Sequence, residues 1–461
     1  MMKPKVGLIT TMSWNTSWPD SMVDAVKRGH ITARSALEGI GMEVVEATGS
    51  IARTDRELSE HAKELWNKGA EVFCVYVGCW TESSSTVNAA CLVNLPVIVW
   101  ADATPGQIGI VGAAIVRGAL DEVGIPTTLV HGAFNDNSAL KKLKIWCTGA
   151  AAVMRLKGTR LGVGGSRCMG MYTANVDPSE IKKKFGIDID GWDEMELIDR
   201  SKEISDIKAN EFYIWMERTY GAICVKRDVM FAQIKMYIAL KELCRERGYD
   251  FLAVKCLPYL PACYTTFCIA HAMFNDMEDA DGSKEPFVCA CEADINGALS
   301  MQILKNISGK TTMFTDVLQI DRDDGIIRLC NCGSQPTDFA PSKKDVHWVT
   351  EGLREYKWKM GGVCPQYVAK AGKATFCRLG RIDGEYVMLI FTGTIVEQPR
   401  EKLAELNSQQ PQAFCRIDSP IDEFVENLRC NHVHMAYGEY TDELLVVCRI
   451  LGIRPVLIGR R

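Results

Sequence analysis

A chain of 461 residues, 47% of them hydrophobic, is too long for one core of ordinary size, so two or three domains are expected. Its net charge is −5 with Lys and Arg scattered along the chain, which leaves no basic tract for nucleic acid or an anionic membrane and favours small metabolites as partners. Nothing approaches the ~20 apolar residues of a bilayer span, and nineteen cysteines set in apolar segments suit a reducing compartment, so a cytoplasmic protein is expected.

The N-terminal apolar stretch, residues 6–10, is too brief for a signal-peptide core before polar Trp14-Asn15-Thr16. Short apolar runs at 6–10, 42–46, 72–76, 96–100 and 127–131 alternate with helical periodicity, which predicts a doubly wound parallel α/β domain over residues 1–155. Ligands of such sheets sit beyond the carboxyl ends of the strands, so the loops at 78–82 and 101–106 are candidate pocket walls. A second α/β domain is expected over 156–330. It opens at Arg160-Leu-Gly-Val-Gly-Gly165 and continues through a helix at 227–247 and a strand at 251–254. From about residue 350 short alternating segments with Gly-rich breaks indicate a β-rich domain, taken as 331–461 and closed by a helix at 441–450 and a strand at 455–458. The fold class is thus α/β, two doubly wound domains followed by a β-rich one.

Polar groups inside apolar sequence are densest at Cys289-Ala-Cys-Glu292-Ala-Asp294-Ile-Asn296-Gly297 and at Met313-Phe-Thr-Asp316-Val317. Glu292 and Asp316 each end an apolar strand-like run. In one parallel sheet they would emerge at the same carboxyl edge, close enough to share a cation. The plainer alternative is that Glu292 caps the following helix and Asp316 starts a turn. Histidines are scarce, and His30 and His61 read as surface residues. His432 and His434 lie two apart in Asn431-His-Val-His-Met, so on a strand both face one way.

Two carboxylates and an imidazole suit an open site for Mn²⁺, Mg²⁺, Co²⁺ or Zn²⁺. No Cys-x-x-Cys pair, dinucleotide fingerprint, phosphate-loop motif or Gly-x-Ser-x-Gly elbow is present, which argues against structural zinc, nucleotide cofactors and serine hydrolysis.

The run Cys291-Glu-Ala-Asp-Ile-Asn-Gly-Ala-Leu-Ser-Met301, then Ser308-Gly309 and Phe314-Thr-Asp316-Val317, resembles the catalytic stretch of L-fucose isomerases, including the separation of 24 between the carboxylates. Cys79-Trp80, Pro105-Gly106, Gly124-Ile-Pro126, Met169-Gly-Met171, Asn331 before Gly333-Ser334, Gly361-Gly362 and Asn431-His432 agree in order along the chain. The resemblance implies an aldose–ketose isomerase acting through an enediol, with Glu292 and Asp316 as acid and base. It implies Mn²⁺ or another divalent cation on Glu292, Asp316 and His432, with His432 preferred to His434 because it follows Asn431. It also implies Trp80, Cys332 and Asn431 as sugar contacts, and a homo-oligomer, a hexamer, in which Trp80 serves a neighbour's pocket. Asp294 would buttress the ligands. Cys332 stands where the family has a serine, and Ile9-Thr10 where it has Arg-Pro. A different aldose, including an anionic one such as sulfoquinovose, is therefore a candidate substrate, with Lys255 or Arg167 as the cation that greets it. A non-catalytic sugar binder and a metal-dependent aldolase are the competing functions.

Overall fold

The computed structural model describes residues 3–14, 17–103, 108–350 and 359–459. Part of the second expected pocket wall, residues 104–106, lies outside them, as do Asn15 and Thr16. The described chain forms two compact units: Met1–Arg155 with Asp442–Gly452, and Leu156–Thr441 with Ile453–Arg461.

In the first unit, β1 (Lys5–Thr11), β2 (Glu43–Ala52), β3 (Val72–Val77), β4 (Val97–Ala101) and β5 (Thr127–His131) form a parallel sheet in the order β2-β1-β3-β4-β5. Alternation along each strand divides the apolar side chains between two cores. Phe73, Val75, Val77, Val97 and Val99 pack on one face, and Val72, Cys74, Tyr76, Ile98 and Trp100 on the other. Helices cover both faces, which is why these runs are apolar without interruption. The helix Asp55–Asn67 starts at a capping box, in which Thr54 accepts from the Glu57 amide and Glu57 from the Thr54 amide.

Two expectations fail in this unit. The helix Thr441–Leu451 does not close the β-rich region, because Val446 and Ile450 pack into the first unit's core. His30 and His61 are buried, not on the surface: they lie on inward faces of their helices, and His30 bonds to Thr10 at 2.8 Å and Glu46 at 2.6 Å.

The second unit begins with β6 (Arg160–Gly164), β7 (Asp188–Trp192), the two-residue β8 (Ala222–Ile223) and β9 (Phe251–Val254). A small hairpin of β10 (Glu278–Asp279) and β11 (Gly282–Ser283) precedes β12 (Cys289–Cys291). A parallel sheet forms in the order β12-β9-β6-β7. Then follow β13 (Met313–Asp321), β14 (Ile326–Cys330), β15 (His347–Thr350), β16 (Val363–Gln366), β17 (Gly372–Ile382), β18 (Glu385–Ile395), β19 (Ala413–Ile417), β20 (His432–Tyr437) and β21 (Arg454–Leu457).

Strands β8, β15 and β16 make a small separate sheet, whereas β17-β20-β13-β14-β19-β18 run antiparallel in sequence. The long pairing of β17 with β18 closes that ring into a six-stranded barrel, and β21 pairs with β18 at Val387–Ile390, along the edge that β19 uses at Gly393–Ile395. Phe376 and Phe391 stack across β17 and β18 with centroids 4.5 Å apart. Strands β13 and β14 therefore belong with the C-terminal β strands, and the β-rich part starts at Met313, ahead of residue 331. The run at 313–316 looks locally like one more crossover strand, but its hydrogen-bonding partners come from later in the chain. Among the described residues, no helix is long and apolar enough to cross a membrane.

Candidate active site

Glu292 and Asp316 do not leave one parallel sheet, as expected, but two different sheets. Glu292 follows β12 at the carboxyl end of the parallel sheet, on a turn where Glu292 and Ala293 both take positive φ, 60° and 49°. Side chains other than glycine occupy that region at a cost of ~1–3 kcal/mol each, and such turns cluster where a side chain must be aimed. Asp294 then caps the helix Ile295–Ser308 by accepting from the Gly297 amide at 2.9 Å, so Asp294 and not Glu292 is the cap.

Asp316 is not at a turn either. It lies within β13 with Cys330 opposite it on β14 and His432 opposite it on β20. Directly opposed residues on neighbouring strands point to the same face, so this register alone delivers the Asp316 carboxylate to the His432 imidazole.

One ligand atom each from Glu292, Asp316 and His432 lies within 4.8 Å of the others. His432 Nε2 is 3.3 Å from Glu292 Oε2 and 3.6 Å from Asp316 Oδ1. Both His432 Nε2 and Glu292 Oε2 are buried with no hydrogen-bond partner. Buried orphans of this kind cost free energy unless something satisfies them. The other imidazole nitrogen, Nδ1, bonds Asp294 Oδ2 at 2.7 Å. A carboxylate behind a histidine fixes the ring and leaves its second nitrogen for a cation. The donor set therefore fits a divalent ion held by Glu292, Asp316 and His432. Burial opposes charge on His432, but Asp294 and then Glu292 outweigh it and push the imidazole up to about 10.

Two asparagines flank Asp316. Asn431 donates to Oδ1 at 2.7 Å, and Asn331 donates to Oδ2 at 2.7 Å and to Glu292 Oε1 at 3.4 Å. Ser334 in turn holds the Asn331 carbonyl oxygen at 2.6 Å. Burial, with Glu292 adding to it and His432 opposing, raises Asp316 above the ordinary aspartate range. Partial exposure of Asp316 opens the cluster to solvent on that side.

Arg378, on β17, is the residue that sequence reasoning missed. It is 2% exposed and donates to Asp294 Oδ2 at 2.5 Å, to His434 Nε2 at 3.2 Å and to the Thr173 carbonyl at 2.9 Å. A guanidinium-bearing residue in the apolar run Thr375-Phe-Cys-Arg378-Leu is itself a signal, because a strand buries a charge only against a partner. His432 and His434 share a face of β20, yet only His432 reaches the carboxylate pair. His434 packs against Arg378, and burial with that cation holds its pKa well below the usual histidine value.

Cys332 stands beside Asn331, one ligand atom each of Cys291, Glu292 and Cys332 lying within 4.8 Å of the others. Trp80 belongs to the first unit, in the loop after β3 where Thr11 bonds Thr81 and Ser13 bonds Glu82. Ile9, expected at a sugar-facing wall, is instead buried in the first unit's core.

Gly297 tests the support behind His432. A Cβ there would come within 2.9 Å of the Asp294 carboxylate and 3.0 Å of His434. Gly297→Ala is expected to displace Asp294 and weaken binding of a divalent cation ~10–100-fold, the usual cost of disturbing a ligand's supporting carboxylate. A metal titration showing unaltered affinity would remove Asp294 from the site.

Residues 329–458 match the family model described as the L-fucose isomerase C-terminal domain. The chain is 23% identical over 389 residues to a sulfoquinovose isomerase of Alkalicoccus urumqiensis, covering 79% of this chain and 81% of that protein. Another sulfoquinovose isomerase, from Clostridium sp. (strain MSTE9), is 24% identical with 70% of each chain covered. An L-fucose isomerase of Citrobacter koseri is 24% identical, over 72% of this chain and 69% of that one.

Proposed function

The chain belongs to the L-fucose isomerase-like family, and from that premise we propose that it interconverts an aldose and its ketose at Glu292 and Asp316, with a divalent cation held by these two and His432. The observation that carries the reading is the convergence of two carboxylates and an imidazole whose inward atoms, Glu292 Oε2 and His432 Nε2, face one another at 3.3 Å while neither is in a hydrogen bond among the described residues.

The isomerisation moves a proton between C2 and C1 and another between the two oxygens, through an enediol that builds up negative charge. The bound cation, Mn²⁺ in this proposal, supplies the charge that stabilises it. Glu292 and Asp316 then exchange roles as base and acid, each transfer accelerating the reaction ~10²–10⁴-fold. The raised pKa of Asp316 suits a group that must hold a proton part of the time. Asn331 and Asn431 fix its two oxygens. Asp294 and Arg378 hold His432.

For the substrate we propose an aldose other than L-fucose, an anionic one such as sulfoquinovose being favoured. The thiol at Cys332 is a weak donor where a serine hydroxyl would be a good one, which costs ~1–3 kcal/mol for a lost buried contact. The Cys168 thiol lies within electrostatic reach of both Glu292 and Lys255. Arg167 is exposed and lies over the Tyr172 ring at 4.9 Å. We further propose a cytoplasmic homohexamer in which Trp80 and Asn431 contact the sugar, Trp80 from a neighbouring subunit. Sedimentation of a fully active monomer would refute it.

One experiment separates the isomerase from a binder or an aldolase. Mn²⁺-loaded and chelator-treated protein is incubated in D₂O with L-fucose, D-arabinose, D-altrose, L-arabinose and sulfoquinovose, and followed by NMR. Ketose with deuterium at C1, and recovered aldose with deuterium at C2, in the metal-loaded sample alone, are expected. Cleaved fragments would indicate an aldolase, and no conversion a binder. L-fucose ranking first by about tenfold or more in kcat/KM would overturn the substrate proposal.

A further inference from the structure

Glu292 has a second set of neighbours that the isomerase chemistry does not use. Cys291, the last residue of β12, is buried, and Cys332, in the turn after β14, is partly exposed. Their sulfurs and a Glu292 oxygen lie within 4.8 Å of one another. Cys291 and Cys332 are hydrogen-bonded, and Cys256 and Cys268 stand close enough behind to act electrostatically on Cys291. Cys268 also donates to the Cys332 carbonyl at 3.5 Å.

Sulfur donors select soft or borderline cations, whereas the oxygen and imidazole donors of Asp316 and His432 suit hard ones. We infer that Cys291, Cys332 and Glu292 form a second cation site, for a thiophilic divalent ion of the Zn²⁺ and Cd²⁺ class, which cannot be filled together with the first because both need Glu292. The exclusion rests on the proposed role of Glu292 as a ligand of the catalytic ion, whereas the thiol site itself does not.

Binding forms two metal–sulfur bonds and releases two S–H protons to solvent, with no change of oxidation state. Because metal–sulfur bonds need thiolates, this release of protons makes the affinity rise with pH. An isomerase built this way is inhibited by thiophilic ions through loss of its own metal, with the partly exposed Cys332 as the point of entry.

The test adds Cd²⁺ to the reduced, full-length protein preloaded with Mn²⁺. Ultraviolet absorption reports thiolate-to-cadmium charge transfer, and electron paramagnetic resonance reports released Mn²⁺. One equivalent is expected to give the charge-transfer band and release the Mn²⁺ together. Cys332→Ser should weaken Cd²⁺ binding at least about tenfold and remove the band, as should Cys291→Ser or, should that variant fold poorly, Cys291→Ala. Asp316→Asn, which leaves the thiols intact, should keep the band. A band that survives both cysteine substitutions, arising from exposed Cys91, Cys224 or Cys263, would overturn the site. So would Mn²⁺ release without any band, which means that Cd²⁺ took the first site. A cysteine-dependent band without Mn²⁺ release would overturn the exclusion, because Glu292 would then bridge the two ions through its two oxygens.

Discussion

Glu292→Gln and Asp316→Asn will each lower kcat by at least ~10³-fold if the proposed roles hold, because each would remove a metal ligand and a proton carrier in one step. Glutamine and asparagine keep the size of the side chains, so the fold should survive, as circular dichroism can verify. Metal titration separates the two losses. If excess Mn²⁺ restores occupancy but not turnover, the carboxylate is the proton carrier as well as a ligand. Either variant retaining near-normal kcat under saturating Mn²⁺ would break the assignment.

Arg378→Met should cost ~3–5 kcal/mol of stability, the usual result of stripping one partner from a buried ion pair. Asp294 is fully buried, and among the described residues its ion pairs are with Arg378 and His432. Burial alone would raise the Asp294 carboxyl, but Arg378 first and His432 next hold it well below the ordinary range. The sign follows from that depression. A carboxylate whose folded value lies under its unfolded one contributes stability that is complete above about pH 4 and is lost on acidification below it. Wild type should therefore lose stability below about pH 4 more steeply than Arg378→Met does. The double variant Asp294→Asn with Arg378→Met should be less damaged than the two single losses added together. Additive losses in urea unfolding would show that the pair is not coupled, and a Mn²⁺ affinity unmoved in Arg378→Met would deny it any hold on His432.

How far the sequence could be read depended on the range of the interactions. The runs at 72–76 and 96–100 identify their parallel strands because a strand covered on both faces must be apolar throughout. Glu292, Asp294 and Asp316 stand out locally, as charges at the ends of apolar segments do. What brings Asp316 to His432 is a cross-strand register between β13 and β20, elements far apart in the chain, and no local pattern records it. The same holds for β13 itself, which reads as a crossover strand until β14 and β20 are seen on either side of it. His30 looked like a surface residue because the Thr10 and Glu46 side chains that satisfy it come from neighbouring strands. Arg378 was legible in principle, as a cation in a strand that has no wet face, yet its partner Asp294 lies 84 residues earlier, before a helix and the strands β13 to β16.

The helix Thr441–Leu451 places a constraint on synthesis. Val446 and Ile450 complete a core whose other members come from the first 150 residues, and Gly149 leaves just the room that the Val446 side chain fills. A ribosome therefore releases the N-terminal sheet long before the piece that seals one of its faces. Until residue 452 has emerged, that face offers an apolar strip to chaperones or to other nascent chains. A fragment ending at Arg155 inherits the same open seam, so the early unit is not a module that could be cut out and kept, and the last twenty residues of the chain decide when the first hundred and fifty are finished.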